Sequence, residues 1–361
     1  MLASVLASGC ARPAVRTPLP LDVIDLAVRG EGAPVYRIPA LAVTTRGTLL
    51  AAYDARPTMA DVPSHIAIVM RRSEDGGRTW APQQIVRADT APLGYGDPSL
   101  LVDRETGRVF LFHAASVRQG FVGASTGNRD DDPNVLHVDV SVSDDDGRSW
   151  RHRRLTSLVK DSTWGGLFAS SGTAVQLRRG PHAGRLVQQF VIRRDGGVWA
   201  ASLVSDDHGT TWRMGALVGP GVDENKTVEL SDGTVLLDSR ARPFRLTARS
   251  SDGGLTYGSL TADSQRVDPA NNGAILTVRA GRREALLFSN TADRTARRNL
   301  TLRLSCDEGR SWPFLRVLEQ GPAAYSTMVA LGDDVGVLFE RGDYAAISFA
   351  RVPVASVGVC R

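Results

Sequence analysis

One eight-residue pattern, written five times at uneven intervals, constrains this chain more than any bulk property does. It reads "SEDGGRTW" from Ser73, "SDDDGRSW" from Ser143, "SDDHGTTW" from Ser205, "SSDGGLTY" from Ser250 and "SCDEGRSW" from Ser305. The shared form is Ser-x-Asp-x-Gly-x-Ser/Thr-aromatic, which reads as a tight hairpin turn. The Asp caps backbone N–H groups, the Gly supplies a positive φ and the aromatic folds back as a packing plug. One copy is a common turn, whereas five in one chain indicate a repeat architecture.

A second series interleaves with the turns: "GTLLAAYDAR", "GRVFLFHAAS", "GRLVQQFVIR", "GTVLLDSRAR", "REALLFSNTA" and "DDVGVLFERG". Each is a short β-rich segment running through an apolar stretch to polar residues. They stand roughly fifty to seventy-five residues apart, the spacing of blades built from four short strands. No amphipathic helix of three turns intervenes, and the period-2 segments with Gly- and Asp-rich turns indicate an all-β chain. The expectation is a single six-bladed β-propeller over residues 21–361. Its innermost strands bring their polar ends together at one mouth.

The chain of 361 residues is long enough for one large closed β domain. Its net charge of +4 is scattered rather than gathered in runs, which argues against a nucleic-acid partner. Arginine greatly outnumbers lysine, with Lys160 and Lys226 the only lysines. Cys10, Cys306 and Cys360 lack metal-ligand spacing, so no zinc site or other metal requirement is expected. Cys306 and Cys360 either pair or stay as two buried thiols. No apolar run has the roughly 20 residues of a membrane-spanning helix. Residues 1–20 resemble an export leader, with small residues before Cys10 as at a lipoprotein cleavage site. A secreted monomer is expected, with lipid attachment through Cys10 the lesser reading.

The stretch "APVYRIPALAVTTRGTLLAAYDARPTMAD" places Arg37 at the start of a strand that reads as buried, then delivers Asp54, Arg56 and Asp61. In a propeller these belong to one blade's share of a central pocket. The "YRIP" motif and the five turns, which match Asp-boxes, resemble the sialidase (neuraminidase) family, particularly its secreted bacterial members. The resemblance spans nearly the whole chain. It implies that Arg37, Arg245 in "RPFRLTARSSDGG" and Arg297 in "ARRNLTLRL" clamp a sugar carboxylate. It further implies Asp61 as acid/base with Arg56 beside it, Tyr325 in "AAYSTM" as nucleophile and Glu229 in "NKTVELSDG" as its partner. Glu340 would steady the first arginine, and Asp97 would face the sugar's N-acetyl and O4 side.

The residue types suit that chemistry. Sialic acid carries a carboxylate on its anomeric carbon, and guanidiniums bind such a group with charge-assisted, partly bidentate hydrogen bonds. A neutral tyrosine avoids the repulsion a carboxylate nucleophile would meet there, and sialidases are known exceptions to the carboxylate rule. A phenol near pKa 10 needs a base and nearby cations, and the acid must hold its proton at working pH. The implied partners are sialylated glycans, with no cofactor. A sialoglycan-binding propeller without activity, or a trans-sialidase, are the alternatives. Binding alone needs only the arginines, whereas Asp61, Glu229 and Tyr325 together speak for catalysis.

Overall fold

A computed structural model describes residues 21–361, so residues 1–20, where a leader is expected, and Cys10 lie outside the described residues. Strands dominate, and among the described residues the only helical segments are single turns at Thr156–Val159, Gly180–His182 and Val354–Ser356. No helix among the described residues is long and apolar enough to cross a membrane.

The strands form five hydrogen-bonded sheets in a propeller-like arrangement. The first is a meander of Val35–Val43, Leu49–Arg56, Ala67–Ser73 and Gln84–Arg87. The second runs Gly94–Val102, Val109–Ser116, His137–Ser143, Arg151–Arg154, with Gly172–Thr173 added parallel to its first strand. The third orders Leu167–Ala169, Leu186–Arg194, Gly197–Ser205 and Arg213–Met214. The fourth holds Asn225–Glu229, Val235–Ser239, Phe244–Ser250 and Thr261–Val267. The last sheet has seven strands, from Ala274–Ala280 through the long Phe314–Leu331 to Ala346–Pro353, and Val23–Val28 closes it at the far edge.

Apolar packing lies between sheets as much as within them. Leu41, Ala51 and Tyr53 of the first sheet pack with Leu338, Ile347 and Phe349 of the last. Ala40, Leu50 and Met70 meet Leu100 and Leu111 of the second sheet. Burial of these faces holds neighbouring sheets in place, since each can hide its apolar side chains only against the next.

All five Asp-containing turns adopt one geometry, each directly after the third strand of its meander. The serine hydroxyl accepts the glycine N–H, at 2.9 Å for Gly77 and Gly147 and 2.8 Å for Gly209, Gly254 and Gly309. It donates to the Asp, whose carboxylate takes backbone and hydroxyl donors four residues on, as Asp75 does from Thr79. Gly77 sits at φ 90°, and a Cβ there would lie 2.3 Å from Phe349 of the neighbouring sheet, so only glycine fits. Trp80 then meets Phe349 edge-on at 5.1 Å, and Trp212 meets Phe110 at 5.5 Å. The aromatics are plugs between sheets.

Strand direction places these turns opposite the site. Val35–Val43 runs away from Arg37, Leu49–Arg56 returns to Arg56, and Ala67–Ser73 runs away again into the first turn. Cys306, in the fifth turn, is disulfide-bonded to Cys360, with Cα atoms 5.6 Å apart.

Candidate functional site

The inner strands are interrupted at the mouth. Register breaks between Arg37 and Ala40, between Gly96 and Ser99, and between Ala323 and Ser326. Ile38 and Asp97, each just before a proline, take φ of 58° and 59°. Such bulges re-aim side chains, and here they turn Arg37, Asp97 and Tyr325 toward the axis.

Arg37 Nε donates to Glu340 Oε1 at 3.1 Å, and the Ile38 N–H reaches the same oxygen at 2.9 Å. The other Glu340 oxygen accepts the Tyr325 N–H at 3.0 Å. One fully buried carboxylate therefore ties the bulge holding Arg37 to the strand holding Tyr325. Arg37 Cζ lies 5.2 Å from the Tyr325 ring centre and 4.8 Å from that of Tyr344. Arg297 Cζ stands 5.1 Å from the Tyr325 ring, and its Nη1 donates to the Tyr344 hydroxyl at 3.3 Å. The adjacent Arg298 turns away to Asp293 at 2.6 Å.

The third guanidinium at this ring is Arg240, not Arg245. Arg240 Cζ is 5.9 Å from the Tyr325 ring centre, and Nη1 donates to the Tyr325 hydroxyl at 2.5 Å. The expectation for Arg245 is corrected: it is wholly buried, with donors spent on Asp238 at 2.8 Å, Asp268 at 2.6 Å and the Asn271 carbonyl at 2.9 Å. A guanidinium so enclosed has nothing left to offer a ligand.

Glu229 is corrected as well. Its carboxylate accepts the backbone N–H groups of Arg178 at 2.8 Å and Arg179 at 2.9 Å, and lines a cavity of about 260 Å³. At about 3.3 Å per residue, that end of Asn225–Glu229 is about 16 Å from Glu224. Glu224 holds the place beside the phenol. It is hydrogen-bonded to Tyr325, accepts Arg240 Nη1 at 2.5 Å and accepts the Ser171 hydroxyl at 3.0 Å. Burial pushes the Glu224 carboxyl up, but Arg240 and Lys226 outweigh it and hold it below its ordinary value. The Tyr325 phenol is pushed well up by burial and then by Glu224, with Arg240, Arg297 and Arg37 opposing.

The facing wall is acidic. Arg56, fully buried, donates to Asp54 Oδ2 at 2.7 and 3.0 Å and to Asp61 Oδ1 at 2.6 Å. The Asp61 side chain is 71% exposed and lies 3.9 Å from Arg37 Nη1, so it overlooks the cleft from its loop. Burial raises Asp54 to about 6 despite Arg56. Burial followed by the Asp54 and Asp61 charges raises Asp97 well above its ordinary value.

Three residues at the Tyr325 ring have no place in the sequence-derived set. Arg240 had a signal: "YDAR" and "LDSR" end corresponding strands, so Asp54-Ala55-Arg56 and Asp238-Ser239-Arg240 occupy equivalent positions. Glu224 lies just before its strand, where pattern alone does not distinguish it from Glu229. Tyr344 sits at φ 63° in a turn that alternation does not foresee. Among the described residues, no group of three or more His, Cys, Asp or Glu is arranged to hold a metal ion.

The chain matches the family model described as a BNR repeat-like domain over residues 47–337. It is 51% identical over 350 residues to a sialidase of Micromonospora viridifaciens, covering 92% of this chain and 54% of that protein. It is 26% identical over 352 residues to a sialidase of Bacteroides fragilis, covering 91% and 63%. It thus spans little more than half the length of these relatives. Among solved structures, a Hadza microbial sialidase superposes with TM-score 0.84 at 28% identity, covering 91% of this chain and 68% of that one.

Proposed function

From the premise that the chain belongs to the BNR repeat-like family of bacterial sialidases, we propose that it is a retaining exo-α-sialidase acting on sialylated glycans. One observation carries this reading. Three guanidiniums, Arg37, Arg240 and Arg297, stand 5.2, 5.9 and 5.1 Å from a single phenol ring, opposite a wall of carboxyl groups. Three cations around one point fit a single anion, and the ring beside them fits a nucleophile at the carbon bearing it.

The steps follow from the atoms. Tyr325 Oη attacks the anomeric carbon while its proton passes to Glu224, and Asp61 protonates the departing glycosidic oxygen. Water then attacks the sialyl-tyrosine, giving its proton to Asp61, and the released phenolate recovers its proton from Glu224. Two inversions give net retention. Arg240, touching both Glu224 and the phenol, stabilises the phenolate as it forms. Asp97 faces the sugar's N-acetyl and O4 side, and Glu340 keeps Arg37 in position.

The same reading counts six blades. The seven-stranded sheet is two four-stranded blades sharing Phe314–Leu331, and Val23–Val28 completes the sixth beside Ala346–Pro353. Residues 21–361 then form one propeller domain. The disulfide supports an oxidising, extracytoplasmic location.

The test is release from a fluorogenic α-sialoside, with Tyr325→Phe alongside. The wild type is expected to turn over and Tyr325→Phe to lose at least about 10²-fold in kcat. A 3-fluorosialyl fluoride should label Tyr325, seen as a peptide mass shift. An inert wild type, or label on another residue, sinks the mechanism.

A further inference from the structure

Beneath the nucleophile lies a charge that the reaction as written does not use. Lys226, one of two lysines in the chain, is buried on the strand Asn225–Glu229, two residues from Glu224. Residues two apart on extended chain share a face. Its Nζ donates to Asn272 Oδ1 at 2.9 Å and to the Ser170 hydroxyl at 3.1 Å. Asn272 Nδ2 donates to the Ser171 hydroxyl at 2.9 Å, and that hydroxyl donates to Glu224 Oε1 at 3.0 Å. An unbroken polar chain thus runs from ammonium to carboxylate across three inner segments. Gly172 makes room for it, since a Cβ there would lie 3.1 Å from Lys226 Cε and 3.3 Å from Thr327 Oγ1.

We propose that Lys226 is a positioning residue for the reaction: through Asn272 and Ser171 it fixes the Glu224 carboxylate, and its charge keeps that carboxylate ionised as the base for Tyr325. The inference rests on the sialidase reading above. The charged groups facing the ammonium are Glu224 and Asp238, which favour it, and Arg245 and Arg240, which oppose it. Burial lowers Lys226 to about 7, so it is charged throughout the acid range in which Glu224 takes up its proton. An opposite charge holds a carboxyl down. Removing it shifts Glu224 upward and narrows activity at low pH.

The experiment is the pH profile of kcat/KM for sialoside release by wild type, Lys226→Met and Lys226→Arg. Lys226→Met is expected to move the acid limb up by about one pH unit. Its kcat should fall about tenfold with KM near wild type. Lys226→Arg keeps the charge and should keep the wild-type limb. Should Lys226→Met fail to fold by circular dichroism, Lys226→Gln replaces it, removing the charge while keeping an amide for Ser170 and Asn272. An active wild type beside a folded charge-free variant with an unmoved acid limb overturns the role of Lys226 alone. A Lys226→Arg limb displaced like that of Lys226→Met does the same. An inactive wild type overturns the sialidase reading instead.

Discussion

Glu224 and Glu229 differ only in what surrounds them, and that difference separates their mutants. Glu224→Gln keeps the shape beside Tyr325 and removes the proposed base, so kcat should fall by about 10²–10⁴. Glu229→Gln changes a carboxylate bound to the backbone of Arg178 and Arg179, far from the phenol, and should leave kcat within a few-fold of wild type. Equal losses in the two variants, read in the sialoside assay, would contradict this geometry. The arginines separate in the same way. Arg240→Met withdraws a donor from the phenol and should cost about 10²–10³ in kcat while the protein stays folded. Arg245→Met strands Asp268 in the interior and leaves Asp238 to Arg266 alone, and should cost about 3–5 kcal/mol of stability by denaturant unfolding. "YRIP" picks out Arg37 because the motif contains the bulge that aims it. "RPFR" misleads because Arg240 and Arg245 both flank strand ends. Only the carboxylates around them, drawn from segments far apart in the chain, decide which faces the axis.

The turn elements were legible for a local reason: serine, aspartate and glycine satisfy one another within five residues, so no distant contact is needed to define them. The bulges were not, because a positive φ at Ile38 or Asp97 is imposed by what the inner strand packs against, and one residue of slip exchanges faces. The Ser143 hydroxyl, buried, serves both Asp145 at 2.8 Å and Gly147 at 2.9 Å. Ser143→Ala leaves those partners unmatched and should cost about 1–3 kcal/mol, measured by guanidinium unfolding, with release activity unchanged. The aspartates also set an acid limit. Hydrogen bonds from Thr79 and its backbone hold Asp75 below the carboxylate range. For Asp145, burial works upward, but Ser149, Ser143 and backbone donors prevail and bring it to about 2. Asp207, Asp252 and Asp307 are lowered too. The folded state therefore binds fewer protons, so this stabilisation is complete above about pH 4 and is lost as pH falls toward 2. The unfolding midpoint should drop over that window, and less steeply in Asp145→Asn. A midpoint flat from pH 5 to 2 would exclude the turns as the cause.

A ring of sheets must be closed, and closure here joins both ends of the described chain. Val23–Val28 pairs antiparallel with Ala346–Pro353, so one sheet holds the first and last strands. Only the beginning of the next sheet's meander, at Val35, lies just beyond. That the chain repeats one unit was readable from the five turns, but the join at the seven-stranded sheet was not. Across Gly321-Pro322 the chain runs on as one strand, pairing first with Arg298–Ser305 and then with Asp334–Arg341. Near this closure the Cys306–Cys360 disulfide fastens the fifth turn to the final residues, across a separation of 54. Crosslinking removes freedom chiefly from the unfolded chain, and loops of this length are worth about 2–4 kcal/mol. Cys306→Ser/Cys360→Ser should therefore lose about that much stability. Sialoside release at 25 °C should stay near wild type, because the bridge lies on the face away from Arg37 and Tyr325. Deleting residues 1–29 acts differently. It exposes the edge of Ala346–Pro353 and uncovers Leu338, Ile347 and Phe349, which pack against Leu26 and Ala27. That loss should lower activity as well as stability, since Glu340, the support of Arg37, lies on the strand next to the exposed edge. If the disulfide variant lost activity in parallel with stability, or the deletion lost neither, the ring would not be closed in this way.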